Sequence, residues 1–140
     1  MSRRTIAIAA ALSVLALGSP LITANANPLA RQYFNQGVEK YEAGNYQGAI
    51  ADYDKAIEIN PQNATSYYNR GYAKYKLQEY QGAILDYTKA IEINPQYANA
   101  YLNRGVAREL VNDLYGACRD WRKAADFGWK EPAEWVKNQC

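Results

Sequence analysis

The chain has 140 residues, 16 basic and 14 acidic, with no histidine and two cysteines. That length sets a prior of one small domain, and the missing imidazole removes Ser/His and Cys/His nucleophile pairs and histidine-ligated zinc, while two thiols are too few for a four-thiolate metal site. Arg3 and Arg4 supply the whole positive excess, so the remainder is neutral and has no clustered charge to draw nucleic acid or anionic lipid.

The N-terminus reads as an export address. Residues 1–26 run from Arg3 and Arg4 through an uncharged apolar stretch, Ile6 to Leu17, to a break at Gly18 and Pro20 and then Ala24-Asn25-Ala26. Charge, short apolar core and small residues in that order mark a secretory signal, with cleavage expected after Ala26. A retained membrane anchor is the alternative. Ser2-Arg3-Arg4 also raises twin-arginine export, although little beyond the two arginines matches, and the general route is favoured. The mature protein is expected in the periplasm or secreted, without stable membrane insertion.

Beyond the address the chain repeats itself. Tyr46-Gln47-Gly48-Ala49-Ile50 returns as Tyr80-Gln81-Gly82-Ala83-Ile84, and Lys55 to Gln62 returns unchanged as Lys89 to Gln96, both at an offset of 34. The same offset links Gly37, Gly71 and Gly105, and links Tyr53, Tyr87 and Trp121. Three units follow, 30–63, 64–97 and 98–131. Within the second, Tyr67, Gly71 and Tyr75, then Ala83, Tyr87, Ala90 and Ile91, recur at helical steps. Gln78-Glu79 breaks the first stripe and Asn94-Pro95 ends the second, because proline cannot continue the hydrogen-bond ladder. Each unit is therefore a helix-turn-helix, with Gly71, Ala83 and Ala90 as points of close approach.

The series Tyr67, Gly71, Ala83, Tyr87, Pro95 resembles the tetratricopeptide repeat family, over essentially all of 30–131. The resemblance implies an all-α solenoid of three repeats. The chain departs from the family pattern at Gln36, Arg70 and Arg104, where leucine is usual, and at Lys40, Lys74 and Arg108, where tyrosine is usual. Trp129 also stands where the third unit would carry proline. Asp52, Asp86 and Asp120 on the second helices match the added cations, which predicts Arg70–Asp86 and Arg104–Asp120 ion pairs inside the hairpins. The alternative is that the arginines contact an acidic ligand.

A stack of hairpins leaves an apolar end that needs a capping element. Residues 132–140 suit that task as a helix, with Pro132 at its start, Glu131 and Glu134 near its positive end, and Ala133, Trp135 and Val136 as apolar contacts. Taken as the first helix of a fourth unit, it runs antiparallel to its predecessor and brings Cys140 near Cys118. A disulfide closing about two dozen residues is then sensible in an oxidising compartment. Free thiols, one buried and one reactive, are the other possibility.

In this family the first helices line a groove that holds an extended peptide or a partner's helix. Carried over by position, the groove residues are Arg31, Phe34, Asn35, Val38 and Tyr41, then Tyr68, Asn69, Tyr72, Tyr75 and Lys76, then Leu102, Asn103, Val106 and Glu109. Asparagine at 35, 69 and 103 both donates and accepts, so it can hold a peptide backbone without reading its sequence, and the tyrosines add stiff area with polar tips. Tyr53, Tyr67 and Tyr87 are expected in the core. Arg31, Asn35 and Asn69 match three of five places in the family's clamp for a C-terminal carboxylate; Asn99 and Asn103 stand where the clamp has Lys and Arg.

The sequence thus describes a non-enzymatic adaptor that binds a peptide or protein, with no cofactor and no nucleic-acid partner. Self-association into a homo-oligomer and glycan binding on tyrosine rings are the alternatives.

Overall fold

The computed structural model describes residues 28–130 together with 136, 138 and 140. The expected signal over 1–26 and most of the expected capping helix over 132–140 lie outside these residues. Val136 and Asn138 are helical, and the Cys140 amide donates to the Val136 carbonyl at 3.0 Å.

Among the described residues there are six helices and no strand. They are α1 (28–42), α2 (Tyr46–Ile59), α3 (Ala64–Lys76), α4 (Tyr80–Ile93), α5 (Ala98–Leu110) and α6 (Leu114–Asp126). Phe34, Val38 and Tyr41 of α1 pack on Ala49 and Tyr53 of α2, α3 pairs with α4 and α5 with α6 in the same way, and α2 packs on α3 as α4 packs on α5. α3 also touches α5, so the first helices stand side by side along one inner face.

The turn inside each hairpin is the same object made from different residues. Gly44, Gln78 and Asn112 all take positive φ, at 77°, 64° and 66°. The next amide then reaches back five residues, Asn45 to Lys40, Glu79 to Lys74 and Asp113 to Arg108, at 2.8 to 2.9 Å. This left-handed closure satisfies carbonyls that a helix end would leave open. The following helices are capped where the residue allows it: Asn45 accepts from the Gly48 amide and Asp113 from the Gly116 amide, whereas Glu79 makes no side-chain cap. Between hairpins, Asn63 caps α3 by accepting from the Thr65 and Ser66 amides.

Close approach within each hairpin depends on glycine. A Cβ at Gly37 would lie 2.6 Å from the Tyr53 ring and one at Gly71 would lie 3.1 Å from the Tyr87 ring; at Gly105 it would collide with the Trp121 indole. Tyr53, Tyr87 and Trp121 are in turn buried to 1%, 0% and 1% exposure, as expected of the repeat's core aromatics. Between them lie fully buried alanines, Ala49 with Ala73 and Ala83 with Ala107, so adjoining hairpins meet at methyl-sized contacts.

Cys118 and Cys140 form a disulfide with their Cα atoms 5.8 Å apart. The expected pairing is present.

Candidate functional site: the inner face of the stack

Arg70, Lys74, Arg104 and Arg108 of the first helices are neutralised by aspartates of the second helices. Arg70 donates to Asp86 through Nε at 2.9 Å and Nη2 at 2.6 Å, and Arg104 holds Asp120 in the same two-pronged way at 2.8 and 2.7 Å. Lys74 joins Asp86 and Arg108 joins Asp120. In the first hairpin, where Gln36 replaces arginine, Lys40 alone pairs with Asp52. The free prong of each arginine crosses to the preceding hairpin, Arg70 to Asp54 at 2.7 Å and Arg104 to the Thr88 hydroxyl at 3.0 Å. Burial works against the charge on Arg70, but the hydrogen bonds and attraction from Asp86 outweigh it and leave the guanidinium firmly protonated. The ion-pair expectation holds, and both arginines are fully engaged within the fold.

With the charges withdrawn, the middle of the inner face is aromatic. Tyr41 of α1 stacks on Tyr72 of α3 at 5.5 Å. Tyr72 lies parallel to Tyr68 and to Tyr75, at 6.3 and 6.2 Å, and Lys76 sits over the Tyr72 ring at 5.5 Å. Tyr46, Tyr80 and Tyr97 extend this chain of rings at 5.2, 5.7 and 5.0 Å from Tyr41, Tyr75 and Tyr68. These three do not lie on the first helices, so a reading by groove position misses them; Tyr46 and Tyr80 share the offset of 34, which was the available signal. Burial pushes the Tyr68 hydroxyl up to about 12, helped by Tyr97 and Tyr72, and raises Tyr41 and Tyr87 still further. Tyr41, Tyr68 and Tyr87 therefore stay neutral phenols over any physiological pH.

The other expected groove residues divide into three groups. Asn103 donates to the Tyr68 hydroxyl at 2.8 Å, and with Val106 it borders a cavity of about 160 Å³ between Tyr72, Tyr75 and Tyr87. Arg31, Phe34 and Asn35 gather instead at the start of the stack, around an open cavity of about 360 Å³ that Asn60, Asn63 and Thr65 also line. Phe34 and Val38 pack against the core around Ala49 and Tyr53, Leu102 and Asn69 are half-buried, and Glu109 is exposed. The asparagines are thus not an evenly free ladder: Asn35 is exposed, Asn69 bonds the Tyr53 hydroxyl and Asn103 is tied to Tyr68.

The two places where the clamp carries Lys and Arg are likewise occupied internally. Asn99 accepts from the Trp129 indole at 2.7 Å, so the residue standing in the proline position fastens the end of the third hairpin to α5.

Models of the TPR repeat match residues 37–78 and 71–110, more than half of the chain. The chain belongs to the TPR repeat family. Solved TPR structures superpose closely. The second TPR domain of human RPAP3, in complex with the HSP70 peptide SGPTIEEVD, is 28% identical with a TM-score of 0.76, over 81% of this chain and 97% of that one. The Arabidopsis OM64 TPR domain is 30% identical with a TM-score of 0.77, over 81% and 95%. The first TPR of Spaghetti (RPAP3), bound to the HSP90 peptide SRMEEVD, is 25% identical with a TM-score of 0.75, over 80% and 90%. No curated protein matches the chain. Among the described residues no helix is long and apolar enough to cross a membrane.

Proposed function

We propose that this TPR chain is a non-enzymatic adaptor that holds a peptide or partner protein on the inner face of α1, α3 and α5, outside the cytoplasm. The reading takes 1–26 as a cleaved signal, 30–63, 64–97 and 98–131 as the three repeats, and 132–140 as the cap. The observation that carries it is the chain of tyrosines crossing from α1 to α3 and onward to Asn103 of α5. That is a stiff apolar surface with polar tips, the composition of a recognition face. TPR neighbours are described as bound to HSP70 and HSP90 peptides, which supports peptide binding as the use of this face. The signal pattern supports export, and the Cys118–Cys140 disulfide suits the oxidising compartment to which export leads.

The test is retention of a partner from an envelope extract by the wild-type chain and by Tyr72→Ala. A species retained by the first and lost by the second, at unchanged helix content, supports the reading. Equal retention removes the inner face from consideration. A second reading, self-association, is favoured by Leu110, Leu114 and Tyr115, which are 47%, 46% and 80% exposed around one hairpin turn. Sedimentation across a concentration series distinguishes it.

A further inference from the structure

The solvent face of α6 carries positive charge that no described residue answers. Arg119 and Arg122 are both exposed and stand three residues apart, so as neighbours on a helix surface they repel one another. Among the described residues neither makes an ion pair. Arg119 lies over the Tyr115 ring at 5.8 Å, which attracts the cation but supplies no counter-charge. Two aspartates of the same hairpin are spent elsewhere: Asp113 caps the Gly116 amide and pairs with Arg108, and Asp120 is held by Arg104 and Arg108.

The repeat shows what has changed at this end of the stack. The place of Arg122 is held by Asp54 in the first hairpin and Thr88 in the second. Each of these accepts a hydrogen bond from the arginine of the next hairpin, Arg70 or Arg104. In the third hairpin the acceptor has become a donor, and the next place in the series of Arg70 and Arg104 is Asn138. Arg119 likewise replaces Ala51 and Leu85. The last hairpin thus offers cations where its predecessors receive one.

The same face is concave. Leu114, Tyr115, Arg119 and Arg122 line an open cavity of about 530 Å³ together with the Cys118–Cys140 disulfide, within the size range of ligand sites. Leu114 and Tyr115 are exposed and place apolar area beside the two guanidiniums. The disulfide ties Cys140 to α6, so this wall is in place before anything binds.

An arginine pair matches carboxylates, which each guanidinium can take through two N–H groups. Side chains three residues apart on a helix have Cβ atoms about 5–6 Å apart, and alternate side chains of an extended segment are about 6.6 Å apart. Two acidic residues at i and i+2 of an extended chain therefore meet both arginines at once. The next alternate residue falls one turn of α6 earlier, on Leu114 and Tyr115. A lipid surface suits the face less well, because it is flat and its recognition takes clusters of about four to eight cations, whereas α6 exposes Arg119, Arg122 and Lys123.

Going beyond the inner face of α1, α3 and α5, we propose that α6 is a second docking site, for an extended acidic segment of a partner protein. Arg119 and Arg122 bind two carboxylates at alternate positions of that segment, and Leu114 and Tyr115 seat an apolar side chain two residues away from them.

The experiment selects random octapeptides, flanked on both sides by Gly-Ser so that no terminal charge is offered, on the oxidised chain, with counter-selection on Arg119→Gln/Arg122→Gln. The best peptide is titrated by fluorescence anisotropy into wild type, the double arginine variant, Tyr115→Ala and Tyr72→Ala. The expected peptide carries two acidic residues at alternate positions and binds the double variant about tenfold or more weakly, the scale of lost charged hydrogen bonds. Tyr115→Ala weakens it about threefold or more, Tyr72→Ala leaves it unchanged, and added salt weakens it. Both exposed-site variants are expected to keep the wild-type helix content and thermal midpoint. No surviving peptide, survivors without acidic residues, or binding indifferent to Tyr115→Ala overturns the site. Survivors that are lost with Tyr72→Ala belong to the inner face; they overturn the site on α6 and leave the groove reading standing. Two parallel measurements name the other occupants: arginine-dependent sedimentation with phosphatidylserine vesicles in place of peptide binding assigns the face to lipid, and arginine-dependent dimers in sedimentation velocity assign it to a second copy. Either result overturns the peptide site.

Discussion

Arg104 grips Asp120 with two parallel hydrogen bonds, at 2.8 and 2.7 Å, in a site where the aspartate is 1% exposed. Arg108 adds a third contact to the same carboxylate at 2.8 Å. The two arginine side chains are themselves only 12% and 16% exposed, so neither can turn to water if the anion is lost.

Asp120→Ala is therefore expected to cost about 3–5 kcal/mol, the scale for stranding buried charge. Asp52→Ala should cost only about 1 kcal/mol, since its partner Lys40 is 44% exposed and can reach solvent. Urea unfolding of the two variants measures the gap. Equal losses would mean that cation burial does not set the cost.

Gln78 holds a left-handed φ of 64°, which its repeat-mate Gly44 adopts without strain. Gln78→Gly should raise stability by about 1 kcal/mol, and Gly44→Ala should lower it by a similar amount. Asn112→Gly should gain less, because asparagine tolerates this region better than glutamine. Thermal midpoints of the three variants check the ordering.

The tyrosine face gives the protein an alkaline limit. In the unfolded chain the phenols ionise near 10, whereas Tyr68 in the fold is pushed up to about 12 and Tyr53 and Tyr97 are also raised, in each case first by burial. Between those values the folded state keeps protons that the unfolded state has released. Stability that is full below pH 10 must then fall as pH rises from 10 to about 12. Phenolate absorbance and unfolding should appear together in an alkaline titration. Ionisation of all tyrosines near 10 without loss of helix would contradict it.

Cys118 and Cys140 are 22 residues apart in sequence. Closing that loop is worth about 3 kcal/mol in the chain-entropy description. Reductant should lower the wild-type midpoint, and Cys118→Ser should show the lowered midpoint with or without it. A wild-type midpoint indifferent to reductant would remove the contribution.

The sequence made the hairpins legible because each contact that builds them recurs: the glycine facing an aromatic, the alanine facing an alanine, the cation facing Asp52, Asp86 or Asp120. Three copies at one spacing turn a weak local pattern into a strong one. The inner face was legible only in part, because its chemistry depends on what is already spoken for. Asn103 and Asn99 look like free amides in the chain, yet Tyr68 and Trp129 occupy them. Those partners lie 35 and 30 residues away, and no repeat rule brings them there. Tyr46, Tyr80 and Tyr97 enter the aromatic chain from outside the first helices.

Arg70 reaches Asp86 within its own hairpin and Asp54 in the one before it, and so belongs to two hairpins at once. A solenoid joined by apolar contact alone can fray from an end, one module at a time. Here, peeling away the first hairpin would deprive a half-buried guanidinium of one of its anions as well as uncovering Ala73. The boundary between modules is thus electrostatically riveted, and the stack is expected to melt in a single cooperative step, with no partly unzipped species accumulating.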